Sequence, residues 1–272
     1  MKNKLFILIS GLFLLNSCFV GIKKTIDVPI EKQVFVKQIQ DSTISRIMIS
    51  QNSLDTSNFS LHYQYYLKTD SIWKDSVNQN IAHFIFLSSN FEDTEKKNFE
   101  ISNQFFVACL DSFYAQGKQD YENSEYSTLW DYDANCQILD EHKLFVTLSN
   151  SIYTYTGGAH GNGYQEYVHI DKTTGKSLSL ADFVTNIEEF TKLSEKEFRK
   201  ALEIKEEENL EDLGFWFPEN KFYCNDNFYF MGDSISFFFN SYEIAPYSMG
   251  QSEFSIPLNK IKHLLKIDLS KN

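Results

Sequence analysis

The sequence predicts an α+β fold of two β-sheet-plus-helix halves with mostly antiparallel strands. Segments typical of strands and segments typical of helices occur in blocks, without the strict alternation that indicates a parallel α/β sheet. The chain also holds 25 Phe and 15 Tyr but only 11 Gly and 4 Pro among its 272 residues. Abundant aromatic residues and few chain breakers indicate a large hydrophobic core with few long linkers.

The first half, an N-terminal α+β domain at residues 30–135, begins with strands and ends with helices. Runs of β-branched and aromatic residues predict strands at residues 34–39, 44–49 and 61–67. Apolar residues at helical spacing then predict helices at residues 71–87 and 93–116. On the second helix Phe99, Phe106, Cys109 and Phe113 form an apolar stripe, which we expect to be buried against the sheet.

The second half, a C-terminal α+β domain at residues 136–270, mixes strand pairs with helices. Hydrophobic alternation predicts strands at residues 143–156 and 164–170, and helical spacing predicts helices at residues 180–184 and 187–210. Further strands are predicted at residues 222–230, 234–240 and 253–256. Pro257 suits the first turn of a last helix.

The N-terminus carries an export pattern. Two lysines precede an apolar run at residues 5–15, which is too short to span the roughly 30 Å hydrocarbon core of a bilayer and is typical of a cleaved signal peptide. Its ending at residues 15–18 (LNSC) resembles the bacterial lipobox. We therefore expect a lipoprotein signal peptide at residues 1–17, a lipidated Cys18 and a tether at residues 18–29. The alternative is a plain secretory signal with an incidental cysteine.

A lipid anchor would place the protein in the cell envelope, at the outer membrane or at another periplasmic or extracellular face. Loss of residues 1–17 would remove Lys2 and Lys4 and change the formal net charge from −12 to −14. So acidic a chain argues against nucleic acid as a partner and suits a basic protein. The membrane would then be contacted through the lipid at Cys18.

The remaining cysteines, Cys109, Cys136 and Cys224, follow no metal or disulfide spacing. Cys109 lies in the apolar stripe and is expected to be a buried small hydrophobe. An exported chain leaves a Cys136–Cys224 disulfide open as an alternative.

Known catalytic patterns are missing from the sequence. It contains no phosphate-binding loop, no Gly-x-Ser-x-Gly elbow and no His-Glu-x-x-His pair. Residues 131–142 begin like a calcium loop but have Cys136 where Gly is needed and His142 where Glu is needed. Because His160 and His169 lack an acidic third ligand nearby, they are weak candidates for zinc. We expect no catalytic residue, no metal and no cofactor.

Several motifs carry a family resemblance. They are residues 153–161 (YTYTGGAHG), 171–176 (DKTTGK), 180–183 (LADF) and 239–250 (FNSYEIAPYSMG). Together they resemble an uncharacterised extracytoplasmic domain that forms the outer part of lysozyme-sensing anti-sigma factors of the RsiV type. The first half resembles the N-terminal module of peptidoglycan deacetylases of the PdaC type. The resemblance implies a sensing or binding module, here without the membrane span of an anti-sigma factor or the catalytic domain of a deacetylase.

The candidate binding residues come from two of these motifs. Adjacent glycines after a Tyr-rich strand let the backbone adopt positive φ and turn sharply, which leaves His160 at the tip of a loop. The candidates are Tyr155, Gly157, Gly158, His160, Asn162 and Tyr164 from the first motif, and Tyr242 and Tyr247 from the second. The structural alternatives are a hairpin that only turns the chain and a packed corner.

Three functions remain open from the sequence. The first is a lipid-anchored binding or sensing module for a cell-envelope ligand, either a basic envelope or host protein such as a lysozyme-like hydrolase, or peptidoglycan or another glycan. The second is a structural envelope lipoprotein without a small ligand. The third is a hydrolase with a site near His160.

Overall fold

The computed structural model describes residues 32–36, 39–50, 55–89, 99–124 and 128–269. The predicted signal peptide, Cys18 and the tether therefore lie outside the described residues. Within the described ranges, no helix is both long enough and apolar enough to cross a membrane.

A seven-stranded sheet forms the larger layer, with its strands in chain order. They are β1 (Lys32–Val36), β2 (Ile39–Ile49), β3 (Thr56–Tyr66), β4 (Asp131–Glu141), β5 (Phe145–Tyr155), β6 (Asn162–Asp171) and β7 (Ser177–Leu178). Every neighbouring pair is antiparallel except β3 and β4, which are parallel. A parallel pair needs a long crossover, and α1 (Ile72–Ser88) and α2 (Asn103–Asn123) supply it.

These two helices cover one face of the sheet and close the first core. On β3 the alternate residues Phe59, Leu61 and Tyr63 are buried beneath the helices. Successive side chains of a strand point to opposite faces of the sheet, so every second residue of β3 lies on the covered face. The predicted stripe is confirmed as buried: Phe106, Cys109 and Phe113 of α2 are at most 1% exposed, and Phe99, which precedes α2, is 5% exposed.

A second sheet of three antiparallel strands forms the smaller layer, in the order β10-β9-β8. Its strands are β8 (Phe228–Met231), β9 (Ser234–Phe239) and β10 (Ser252–Pro257), and its helices are α3 (Leu180–Phe183), α4 (Ile187–Ala201) and α5 (Leu258–Ile261). Phenylalanines fill the second core, where Phe198 of α4 packs edge-on against Phe254 of β10 at 5.6 Å between ring centroids. The α+β class and the mostly antiparallel pairing are thus confirmed.

Some predicted elements differ in extent. The helix predicted at residues 187–210 ends at Ala201, and Glu203 follows at φ +58°, which no helix continues. The strand predicted at residues 222–230 begins only at Phe228. The helix predicted from residue 93 begins at Asn103, where the Ser102 hydroxyl caps it by accepting from the Phe105 N–H. Residues 93–98 lie outside the described ranges.

The strand β4 has no counterpart among the predicted elements. The proposed domain boundary between residues 135 and 136 falls inside it, and the large sheet continues across that point. The two-domain division stays a prediction. What the structure separates is two hydrophobic cores, one under the large sheet and one around the small sheet.

The disulfide left open by the sequence is not formed. Cys109, Cys136 and Cys224 are free thiols. Cys136 lies in the first core and Cys224 packs against the second, so their side chains belong to different layers. Cys109 is fully buried, as expected of a small hydrophobe.

Candidate functional site

The loop between β5 and β6 carries the first candidate motif. Gly157 and Gly158 have φ values of +96° and +95°, a conformation that other residues adopt only with strain. The Tyr155 hydroxyl donates to the Gly158 carbonyl at 3.1 Å and so fastens the strand end to the turn. The chain is thereby reversed over a few residues, and His160 is exposed on the far side of the turn.

His160 stacks on Tyr247 of the second candidate motif. Their ring centroids lie 3.7 Å apart and their planes differ by 11°. The Tyr247 hydroxyl donates to the Gly161 carbonyl at 3.0 Å, which fixes the tyrosine to the loop. The two motifs, far apart in the sequence, therefore meet in one place.

The hydrogen bonds also indicate a tautomer for His160. Its Nδ1 lies 2.9 Å from the Gly161 carbonyl oxygen, which can only accept, so Nδ1 carries the proton. In the neutral ring Nε2 is then the acceptor, and the Tyr242 hydroxyl lies 3.5 Å from it, at the outer limit of a hydrogen bond. The imidazole thus presents an acceptor beside an exposed phenol.

Tyr242 lies beside His160 and is itself exposed. Its side chain is 53% exposed, although its backbone has φ +68°, in the left-handed region. The turn around it is well anchored: Glu243 accepts from the Asn240 N–H and from the Asn225 side chain, and Ile244 is buried. Below the ring lies a packed corner, and the ring itself contacts His160 and Tyr247.

Tyr153 belongs to the same place and was not among the sequence candidates. A Cβ on Gly161 would lie 2.2 Å from its hydroxyl oxygen, so the tyrosine fills the space that the glycine leaves. The sequence does contain one signal for Tyr153. It lies two residues before Tyr155 on β5, so both side chains share one face of the strand. We name Tyr153, His160, Tyr242 and Tyr247 the aromatic cluster.

The other candidates lie apart from the cluster. Tyr164 stacks at 6.4 Å on Phe84 of α1. Asn162 is exposed at the start of β6, in register with Thr154. Tyr155 contributes through its bond to the loop backbone.

The chemistry of the cluster is that of a contact surface. It offers aromatic faces, the hydroxyl groups of two exposed tyrosines and one imidazole. Among the described residues, no Ser or Cys side chain forms a hydrogen bond with His160. Across the described part of the chain, no three His, Cys, Asp or Glu side chains are grouped to hold a metal ion.

Comparison with known proteins finds a family match within the second layer. Residues 180–259 match the family described as "Protein of unknown function (DUF3298)". The matched segment spans α3, α4 and the small sheet and includes Tyr242 and Tyr247, whereas the His160 loop precedes it. A search of curated protein sequences finds no match.

Two solved structures share the fold over nearly their whole length. The crystal structure of a DUF3298 family member from Bacteroides fragilis is 21% identical, with a TM-score of 0.63, and the alignment covers 90% of this chain and 96% of that one. A DUF3298 family protein from Pseudomonas aeruginosa is 15% identical, with a TM-score of 0.55, and the alignment covers 88% and 95%. At these identities the likeness is one of fold.

Proposed function

We propose that this chain is a lipid-anchored binding module of the cell envelope and that the aromatic cluster is its contact surface. The observation that carries the proposal is Tyr242. A non-glycine residue at positive φ costs on the order of 1 kcal/mol or more, and an exposed ring regains little of that by burial. Strain at an exposed side chain is typical of a residue kept for contact with a partner.

The proposed partner is a basic protein of the envelope or of a host, with a lysozyme-like hydrolase as the first choice. Two features support this choice: the formal net charge of −14 expected once Lys2 and Lys4 are removed with the signal peptide, which would steer a cationic partner, and the resemblance to lysozyme-sensing domains. Tyrosine suits such a surface because a large ring with few rotatable bonds gives contact area at small entropic cost. A peptidoglycan fragment is the second candidate, since exposed rings and hydroxyl groups also suit a sugar.

Envelope localisation is part of the proposal. It rests on the charged and apolar residues of the segment 1–17 and on Cys18, which the sequence suggests as the acylation point. A tethered module with an acidic exterior would meet ligands that diffuse into the envelope.

Calorimetry tests the contact surface directly, with the mature chain lacking its lipid (residues 19–272) titrated with a basic lysozyme and with peptidoglycan fragments. Tyr242→Gly removes the ring and relieves the backbone strain. We expect affinity to fall about tenfold, which corresponds to roughly 1–2 kcal/mol, while the free energy of unfolding stays equal or rises. Low salt should strengthen binding of the basic protein.

Met231→Ala is the matched control, because Met231 is 59% exposed but lies at the hairpin between β8 and β9, at the opposite end of β9 from Asn240. Its affinity should equal that of the wild type. Equal affinity of Tyr242→Gly and the wild type would contradict the proposed surface. No heat with either ligand for the wild type would favour a structural lipoprotein.

A further inference from the structure

A cleft of about 400 Å³ lies between α1, β6, β7 and the segment before β8. Its volume is within the range of small-molecule sites. Phe84, Leu87 and Leu178 give it apolar walls, and His83, Glu166 and Asp226 give it polar ones. None of its lining residues belongs to the aromatic cluster.

Glu166 is the central charged group of this cleft. Its Oε1 accepts from the Asn150 side-chain amide at 2.9 Å, and within the described ranges no Lys or Arg forms an ion pair with it. Burial raises the pKa of its carboxyl. A half-buried carboxylate whose compensating neighbours are one amide and His83 has no permanent cation to balance its charge.

Apart from His83, whose charge opposes the rise in the pKa of Glu166, the rest of the lining supplies no positive charge. The cleft has no Lys or Arg among its lining residues, and Asp226 adds a second carboxylate, whose Oδ1 accepts from the Leu180 N–H. His83 also faces this space, and its Nδ1 is buried without a hydrogen-bond partner in the described part of the chain. The cleft therefore presents two carboxylates and no permanent cation to a ligand.

We propose that this cleft binds an aliphatic ammonium group, with the ammonium at Glu166 and the carbon stem between the apolar walls. An anionic ligand is disfavoured because the lining contains two carboxylates and no fixed cation. A neutral polyol would bring no positive charge to the half-buried carboxylate. A metal ion is disfavoured because the described residues offer no group of three ligands. An amine supplies three donors and one charge in a compact head.

Such a group has two sources, an amino sugar and a lysine side chain. Titration of the mature chain with glucosamine and with Nα-acetyl-lysine amide separates them, and 1,5-pentanediol serves as the neutral probe. We expect at least one ammonium probe to bind with a millimolar or lower Kd and the diol to give no heat. Absence of binding by both ammonium probes, or equal binding of the diol, would overturn the proposal.

Glu166→Gln should weaken the ammonium probe at least tenfold, and Glu207→Gln, the same charge change at an exposed position on the segment after α4, should leave it unchanged. Leu87→Trp narrows the cleft at its half-exposed rim without touching the buried charge and should also abolish binding. If Glu166→Gln fails to fold, this second variant decides the outcome. Unaltered binding in either cleft variant, or an equal loss in Glu207→Gln, refutes the assignment.

Discussion

The side-chain amide of Asn240 pairs with both backbone groups of Gln165. Its Oδ1 accepts from the Gln165 N–H at 2.8 Å and its Nδ2 donates to the Gln165 carbonyl at 2.9 Å. Asn227 acts in the same way one step along β6, accepting from the Tyr167 N–H and donating to the Gln165 carbonyl. The side chains of Asn240 and Asn227 thus form hydrogen bonds with the backbone of β6 that a neighbouring strand would otherwise form. These bonds join the small sheet to the large one.

Asn240→Ala should destabilise the fold because it leaves the Gln165 N–H without its acceptor in a half-buried place. The Gln165 carbonyl keeps Asn227 as a donor, so we expect a loss of about 1–3 kcal/mol rather than twice that. Urea unfolding followed by circular dichroism measures it. Asn259→Ala, at an exposed position on α5, is the control and should change stability by less than about 0.5 kcal/mol.

These asparagine pairings also show where sequence reasoning stops. The elements with strong periodicity, such as α1 and β5, were predicted to within a few residues. By contrast, β4 presents Asp133 and Asn135 on the face away from the first core, and to that core it presents Tyr132, Ala134 and Cys136 with a partly buried Ile138. A strand with so polar a face and so few large apolar residues looks like a loop, and its opening even resembles a calcium site.

The candidate site could likewise be predicted only where the signal is local in the sequence. Local signals placed His160 after two glycines and marked a tyrosine-rich corner. Nothing local shows that His160 and Tyr247 stack, because that contact depends on how the small sheet docks on β6. Tyr164 has the same residue type and lies close in sequence, yet the alternation of β6 turns it toward α1.

His169 makes stability depend on pH. It is 1% exposed, its Nε2 donates to the Phe228 carbonyl at 2.9 Å, and its Nδ1 accepts from the Thr147 hydroxyl at 3.0 Å. Burial lowers its pKa from 6.5 to about 4. Between pH 6.5 and about 4, His169 is protonated in the unfolded chain but neutral in the folded chain. Stability therefore falls as pH drops from 6.5 to 4, by about 3 kcal/mol.

His169→Gln keeps a donor and an acceptor but cannot titrate, so its stability should lack this decline. Urea unfolding of both proteins from pH 7.5 to 4.5 isolates the histidine as the difference between them. Asp171 and Asp182, whose pKa values are lowered by hydrogen bonds to neighbouring backbone groups and hydroxyls, lose their contribution below that window. Parallel curves for the two proteins would contradict the assignment.

Cys18→Ser tests the proposed anchor. Without a thiol there is no acylation point, so the exported protein should move from the membrane fraction to the soluble one. Intact-mass measurement of the wild type should show the mass of the acyl chains on a chain that begins at residue 18. An unmodified Cys18 in the native protein would contradict the anchor, and Cys224→Ser, which removes a free thiol from the folded part, serves as the control.

Two glycines of the His160 loop should respond differently to alanine. A Cβ on Gly158 would meet nothing within 4 Å, so the effect of Gly158→Ala comes from its φ of +95° alone. We expect a loss of about 1–2 kcal/mol in the free energy of unfolding. Gly161 has no such φ, but its Cβ would lie 2.2 Å from the Tyr153 hydroxyl oxygen.

Because the Tyr153 side chain is 45% exposed, its ring can swing outward, and Gly161→Ala should cost less than about 1 kcal/mol while displacing the tyrosine from the aromatic cluster. A double-mutant cycle in urea unfolding checks the cause. In a Tyr153→Ala background the alanine at position 161 meets no ring, so its effect on stability should vanish. The effect of Gly158→Ala should persist there, since backbone strain does not depend on Tyr153. An undiminished effect of Gly161→Ala without the ring would show that the backbone at Gly161, and not the packing of Tyr153, requires glycine.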